Sequence, residues 1–336
     1  SCPALPHDAR SSMGNFGSKD KKDSSATELT TEQKAMLAEI DAMQGPEGFD
    51  VIIVCCSNLA AERFWQARLS ETAAEVTGCA STTVLAVHED WNGGGAGNGL
   101  GTLYAFQKAC AKAAEAGHGD LLAKLKGGAA VAIYHTAGKG TRMAPLPGAE
   151  NNNKPGVKLS ALVKVGGEQR PLTILEAVVR QTSSYARVRK GRCSVFWGDQ
   201  VFVPSCGVQQ TDKAADILAA LRPMPTKEEW EAEGLHQYGL IAVAADGSAT
   251  QLEKVTYDVA VRYLPKNVKQ VGTSLGSFSL SAAFMSSLLD EFAPELVAKT
   301  ACLDSDPHFW MPVTLGRQDY LDVMSKKGTT EDEAGA

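Results

Sequence analysis

The sequence predicts an α/β fold, with a mixed, mostly parallel sheet flanked by helices. Three observations predict it. Short apolar runs recur along the chain at Val51 to Cys56, Thr82 to Val87, Ala129 to Tyr134 and Arg192 to Phe202, and each reads as a strand. Longer stretches with helical spacing separate them, and strand-helix-strand alternation builds a parallel sheet covered on both faces. Glycine-bearing turns follow two of these runs, at the strand ends where such sheets bind ligands.

A chain of 336 residues is long enough for one large α/β domain. The formal net charge of -6 argues against a nucleic-acid surface. No apolar run approaches the roughly 20 residues that span a bilayer. Eight cysteines are scattered without a Cys-x-x-Cys pair, and Cys55 and Cys56 lie inside an apolar run, where cysteine acts as a small buried hydrophobe. This usage points to a reducing compartment, and hence to the cytoplasm. The chain begins at Ser1, and the true N-terminus stays open, as do organelle targeting and N-myristoylation from Met13 within Met13-Gly14-Asn15-Phe16-Gly17-Ser18.

Taken in order, residues 1–45 read as a polar tail plus a helix from Thr31 to Met43, with Thr31 as its cap. The main domain spans 46–322, and 323–336 reads as a polar tail. After the first strand, Leu59 to Val76 is a helix. The loop His88 to Gly101 is dominated by glycine from Gly93 onward, and a helix runs from Thr102 to Glu115, whose free N–H groups suit an anion. Val131 to Tyr134 opens into His135-Thr136-Ala137-Gly138-Lys139-Gly140-Thr141-Arg142, a glycine turn carrying two cations, with Lys154 and Lys158 beyond it. Glycine lets backbone N–H groups approach a ligand, and the four cations favour an anionic one such as a triphosphate. Pro171 to Tyr185 is an amphipathic helix. Arg192 to Phe202 reads as a strand that ends in Gly198-Asp199, which puts a carboxylate at the carboxyl edge where such sheets bind ligands. Asp212 to Leu221 reads as a helix, Pro223 to Glu233 as an external charged excursion, and Gln237 to Lys254 as a hairpin around Asp246-Gly247. Ser274 to Leu280 is a strand and Ala282 to Phe292 a helix. Asp304 and Asp306 are two apart, which on an extended strand aims both to one side.

The stretch from Val131 to Leu159 resembles the signature of sugar-1-phosphate nucleotidyltransferases, the nucleotide-sugar pyrophosphorylases. The matching residues are Gly138, Gly140, Thr141, Arg142, Pro145, Leu146, Lys154, Pro155 and Lys158. His135 stands where most members carry Leu, and the gap holding Glu150 to Asn153 is long. Gly101-Thr102-Leu103-Tyr104-Ala105 resembles the family's base-holding turn, but it precedes the signature where most members place it after. That order, with the opening FDVIIVCCSNLAAERFWQARL, is similar to the branch of fucose-1-phosphate guanylyltransferases and fucokinase-fused pyrophosphorylases. The resemblance covers roughly residues 48–316 and implies a Rossmann-like, GT-A-like nucleotide-diphospho-sugar transferase fold.

It also implies the site. Arg142, Lys158 and Lys154 would act on the phosphates. Gly99, Gly101, Thr102, Ala137, Gly138, Lys139, Gly140 and Thr141 would hold the nucleotide. Gly198, Glu253, Lys254 and Gly276 would hold the sugar phosphate, and Asp199 with Asp306 would hold Mg2+. The reaction implied joins a nucleoside triphosphate to a sugar 1-phosphate and releases pyrophosphate, with no side chain needed as nucleophile or general base. Its difficulty is electrostatic, because two polyanions must meet. The alternative is a non-catalytic binding or structural subunit that keeps this fold. A dinucleotide-binding dehydrogenase is a weaker third class, since no acidic residue is clearly placed after a second strand. A homo-oligomer or larger assembly is compatible with any of these. The sugar stays open, and so does the base, with the branch resemblance leaning towards GTP.

Overall fold

The computed structural model describes residues 29–43, 45, 47–137, 153–200 and 209–326. Helix α1 (Thr31–Ala42) is opened by a capping box in which Thr30, one residue earlier than expected, pairs with Gln33. Strand β1 (Val51–Cys56) is buried along its whole length, as continuous apolar runs in covered sheets are. Helix α2 (Leu59–Thr77) is capped by Asn58 and stopped by Gly78 in the left-handed conformation. Strand β2 (Thr83–His88) then lies parallel to β1.

Helix α3 (Gly97–Glu115) begins five residues earlier than expected, inside the glycine segment. After α4 (Leu121–Lys126), strand β3 (Val131–His135) pairs parallel to β1 on the side away from β2. The chain therefore reverses its direction of strand addition at β1, and a crevice forms between the carboxyl ends of β1 and β3.

Strands β4 (Lys158–Val165) and β5 (Glu168–Thr173) form a separate two-stranded sheet. Helix α5 (Ile174–Ser183) starts with a Thr173–Glu176 capping box, so the expected helix at Pro171 gives way to strand for three residues. Glu176 is fully buried, and Arg68 of α2 meets it with two hydrogen bonds of 2.8 and 2.9 Å. This fork-to-fork pair joins the two helices across one face of the sheet.

Strand β6 (Arg192–Trp197) continues the parallel set beside β3. The residues expected to form a helix from Asp212 are instead β7 (Ala215–Pro223). Its alanines and leucines suit a helix, but antiparallel pairing with a long later strand overrides that weak preference. The charged excursion contains α6 (Lys227–Ala232), which is not wholly external because Trp230 is buried. Strands β8 (Gly239–Ala244) and β9 (Ala249–Glu253) form the expected hairpin around Asp246-Gly247. Helix α7 (Tyr257–Tyr263) leads to β10 (Val268–Ser281), followed by α8 (Ala282–Glu291).

Among the described residues the central sheet has eight strands in the order β2-β1-β3-β6-β10-β8-β9, with β7 also paired to β10. Only β10 and β9 run against the other six, so the sheet is mixed and mostly parallel, as predicted. Alternate strand residues serve the two faces. Val51, Ile53, Cys55, Val131 and Ile133 pack towards α3, α4 and α8, and Ile52, Val54, Ala132 and Tyr134 pack towards α2 and α5. A third cluster gathers Trp230, Leu240 and Leu252 with Tyr320, Leu321, Val323 and Met324. The predicted tail boundary at 323 is thus too early. Helix Arg317–Lys326 puts these last four residues on one apolar face at helical spacing. No helix among the described residues is long and apolar enough to cross a membrane.

Candidate functional site

A cavity of about 280 Å³ opens at the carboxyl end of β6, against the bulge of β10. Five elements meet there. The start of α3 contributes Asn98, the end of β6 contributes Trp197 and Gln200, β9 contributes Glu253 with Lys254, β10 contributes Ser274 and Gly276, and the segment after α9 (Ala293–Ala298) contributes Asp304, Asp306 and Pro307. Four residues assigned from sequence, Glu253, Lys254, Gly276 and Asp306, share its lining.

Each is held there for a reason. Gly276 sits at φ +70, where the β10 pairing with β7 shifts register, and a Cβ there would run into the Trp197 indole. Lys254 has φ 52, a conformation costly for a side-chain-bearing residue, fixed by its N–H donating to the Tyr238 carbonyl at 3.1 Å. Its Nζ lies 2.9 Å from Glu253 Oε1. Glu253 is buried while the Lys254 side chain is more than half exposed, so the pair sits at the rim of the cavity. Asp306 opens a π-helical turn (Asp306–Trp310) and not an extended strand, yet it still faces the cavity with Asp304.

Burial pushes the Asp306 carboxyl up to about 7, helped by the negative charges of Glu253 and Asp304 and opposed by a Ser274 hydrogen bond and Lys254. The Glu253 partnership raises Lys254 above its ordinary value. A carboxyl poised near neutrality in a cleft is a mark of a working site. Asp306 Oδ1 and Glu253 Oε2 are buried without a hydrogen-bond partner. Such unserved carboxylate oxygens are hard donors that fit magnesium.

The other assigned residues divide. Lys154 reaches Asp199 at 3.3 Å, and both are about one-third exposed. Asp199 is not among the cavity-lining residues, although its neighbours Trp197 and Gln200 are. The two residues assigned to the metal therefore stand in different company, Asp306 with Glu253 and Asp199 with Lys154. Lys158 is exposed at the start of β4. Ala137 is half-buried, just past the end of β3. Gly138, Lys139, Gly140, Thr141 and Arg142 lie outside the described residues.

Among the nucleotide assignments, Gly99 and Gly101 are buried within α3 and not in a loop before it, and Thr102, expected to open the helix, is buried five residues into it. The N–H of Gly99 donates to the Leu303 carbonyl at 3.0 Å, that of Leu100 to the same oxygen at 3.2 Å, and that of Asn98 to Asp304 Oδ1 at 2.9 Å. The donors that make a helix start attractive to phosphate are thus spent on the Leu303–Asp304 segment. A Cβ on Gly101 would stand 2.6 Å from Glu89 Oε1, so this glycine makes room for a carboxylate and not for a base. Gly198 is explained by packing as well, since a Cβ would crowd Thr136 at 2.9 Å and Leu175 at 3.1 Å.

Sequence reasoning missed Asn98, and no local signal marks it. Its side chain accepts from Ser305 N–H at 2.7 Å and bonds Ser305 Oγ at 3.0 Å, which clamps the segment carrying both aspartates. His135 is buried, and desolvation lowers it to about 4, so it is neutral at pH 7. No family model, no curated protein and no solved structure matches this chain.

Proposed function

We propose that this protein transfers a nucleotidyl group from a nucleoside triphosphate to a sugar 1-phosphate, giving a nucleotide sugar and pyrophosphate, on a GT-A-like variant of its Rossmann-like fold. The observation that carries the reading is the convergence of Glu253, Lys254, Gly276 and Asp306, from three separate elements, on one polar cavity at the carboxyl end of β6. The crevice between β1 and β3 adds support, because open α/β sheets bind ligands at such a reversal. The segment that carries the signature leaves β3 at this crevice.

In this reading Ala137 and the residues from Gly138 to Thr141 seat the triphosphate, and Arg142 neutralises the departing pyrophosphate. Lys154 and Lys158 attend the α-phosphate and the sugar phosphate. Glu253 accepts hydrogen bonds from sugar hydroxyls, and Lys254 offsets charge on the phosphate. Asp306 and Glu253, with Asp199 released from Lys154, are the residues that would hold magnesium, which when bound supplies charge neutralisation for the phosphate oxygens. The sugar phosphate oxygen attacks the α-phosphorus, one P–O bond forms as the bond to pyrophosphate breaks, and no proton need move because the attacking phosphate is already ionised.

The test is exchange of labelled pyrophosphate into nucleoside triphosphate, run with magnesium across the four common bases and a panel of sugar 1-phosphates. At least one pairing should support exchange. A folded protein that neither binds a nucleotide nor exchanges pyrophosphate with any pairing is a non-catalytic subunit, and the proposal is wrong.

A further inference from the structure

Next to the acidic cavity, whose Trp197 ring lies 5.6 Å from that of His135, the ends of two neighbouring parallel strands and the residue that follows a third bring three different side chains together. Cys55 is the penultimate residue of β1 and lies in register with His135, the last residue of β3. Glu89 follows β2 directly, and its N–H extends the ladder to the Cys56 carbonyl at 2.9 Å. The thiol sulfur, a carboxylate oxygen and an imidazole nitrogen all lie within 4.8 Å of one another. The positions are 34 and 46 residues apart in the sequence, so no spacing motif announces them.

The surroundings are shaped around this group. Gly101 of α3 is cut away above Glu89 Oε1, with His135 Cε1 at 3.5 Å from where its Cβ would stand. Thr102 Oγ1 gives its single proton to the Asn98 carbonyl at 2.7 Å, so at 2.8 Å from His135 Nε2 it acts as acceptor. With the Thr102 proton on the Asn98 carbonyl, Nε2 carries the imidazole proton and the Nδ1 lone pair is free, the arrangement outer partners give metal-bound histidines. Glu89 makes no ion pair among the described residues. Its hydrogen bonds come from the Cys55 thiol at 3.6 Å and the Ala96 backbone, and burial raises its carboxyl above the ordinary range. A mostly buried carboxylate with no cation beside it among the described residues is an expensive arrangement.

We infer that Cys55, Glu89 and His135 form a binding site for a borderline-soft divalent transition metal, with zinc the best match. A thiolate, a carboxylate and a neutral imidazole suit zinc and do not suit magnesium. Binding releases the thiol proton to solvent. Two negative ligands then balance the divalent charge, so the buried centre is neutral overall. Three protein ligands leave one position of a tetrahedral zinc for water. This site is separate from the proposed magnesium ligands and does not depend on the transferase reading.

Cobalt(II) titration of the full chain, stripped with a chelator and reduced, tests it. The expected result is a saturable thiolate-to-cobalt absorption band in the near ultraviolet, with visible bands of tetrahedral intensity, at one metal per chain and displaced by zinc. Cys55→Ser should abolish the charge-transfer band, Glu89→Gln should weaken binding about tenfold or more, and Cys79→Ser with Cys302→Ser should leave the band intact. Circular dichroism checks that each variant folds. If Cys55→Ser does not fold, the isosteric Glu89→Gln and the stoichiometry of the wild-type protein still decide. No band in the folded wild-type protein, or an unchanged band in Cys55→Ser or Glu89→Gln, overturns the assignment.

Discussion

Replacing Asp306 with Asn should stabilise the protein, and only above the ordinary aspartate range. The Asp306 carboxyl has a folded value of about 7 against an ordinary 3.8, chiefly through burial and then through Glu253 and Asp304. Below 3.8 the proton is bound in both the folded and the unfolded chain, and the group is neutral in each. Between 3.8 and about 7 the unfolded chain gives up the proton while the folded one keeps it, so stability falls as pH rises. Above about 7 the penalty is complete and constant. At about 1.4 kcal/mol per tenfold, the difference sets a ceiling of about 4 kcal/mol, and solvent relaxation around the cavity reduces it to about half in practice. Urea unfolding of wild type and Asp306→Asn, each near pH 4 and near pH 8 without divalent ions, measures it. The two proteins should match near pH 4, and the variant should be more stable by about 1–4 kcal/mol near pH 8. On the proposed magnesium site, added magnesium should narrow that gap by binding the ionised carboxyl. Equal stabilities near pH 8, or a less stable variant there, would refute the account of a carboxyl strained by its neighbours.

Three further outcomes follow from the geometry. Arg68→Ala strands the buried Glu176 charge and should cost about 3–5 kcal/mol in urea unfolding; a cost below about 1 kcal/mol would mean that the α2–α5 pair carries little of the stability. Gly276→Ala must adopt a left-handed backbone conformation and displace the Trp197 indole, so it should lose about 2 kcal/mol or more and shift tryptophan emission; an unshifted spectrum with wild-type stability would contradict the described bulge. Asp199→Ala should leave the fold intact, given its partial exposure, and reduce pyrophosphate exchange by about 10²–10³; undiminished exchange would remove Asp199 from the proposed machinery.

Much of the fold was legible in the chain because it is local. Val51 to Cys56 is apolar throughout, so it had to be a covered strand, and Asp246-Gly247 between two strand-like runs had to be a hairpin turn. The strand-helix alternation was enough to predict a mostly parallel sheet. Glu253, Lys254, Gly276 and Asp306 were also singled out before any geometry was known, though through resemblance to a family and not through their own spacing. What a local window cannot contain is the partner. Ala215 to Leu221 looks helical until β10 offers it a ladder of hydrogen bonds. Gly99 and Gly101 look like an open phosphate loop until Leu303 and Glu89 occupy the space and the donors. Asn98 and Asp304 are 206 residues apart, and Cys55, Glu89 and His135 meet only because the carboxyl ends of three strands lie side by side. Side-chain periodicity and turn chemistry are set by neighbours along the chain, so the sequence alone determined the elements. Burial, charge crowding and ligand convergence depend on contacts between distant segments, so only the tertiary structure could decide which polar groups stand together and which glycines are merely making room.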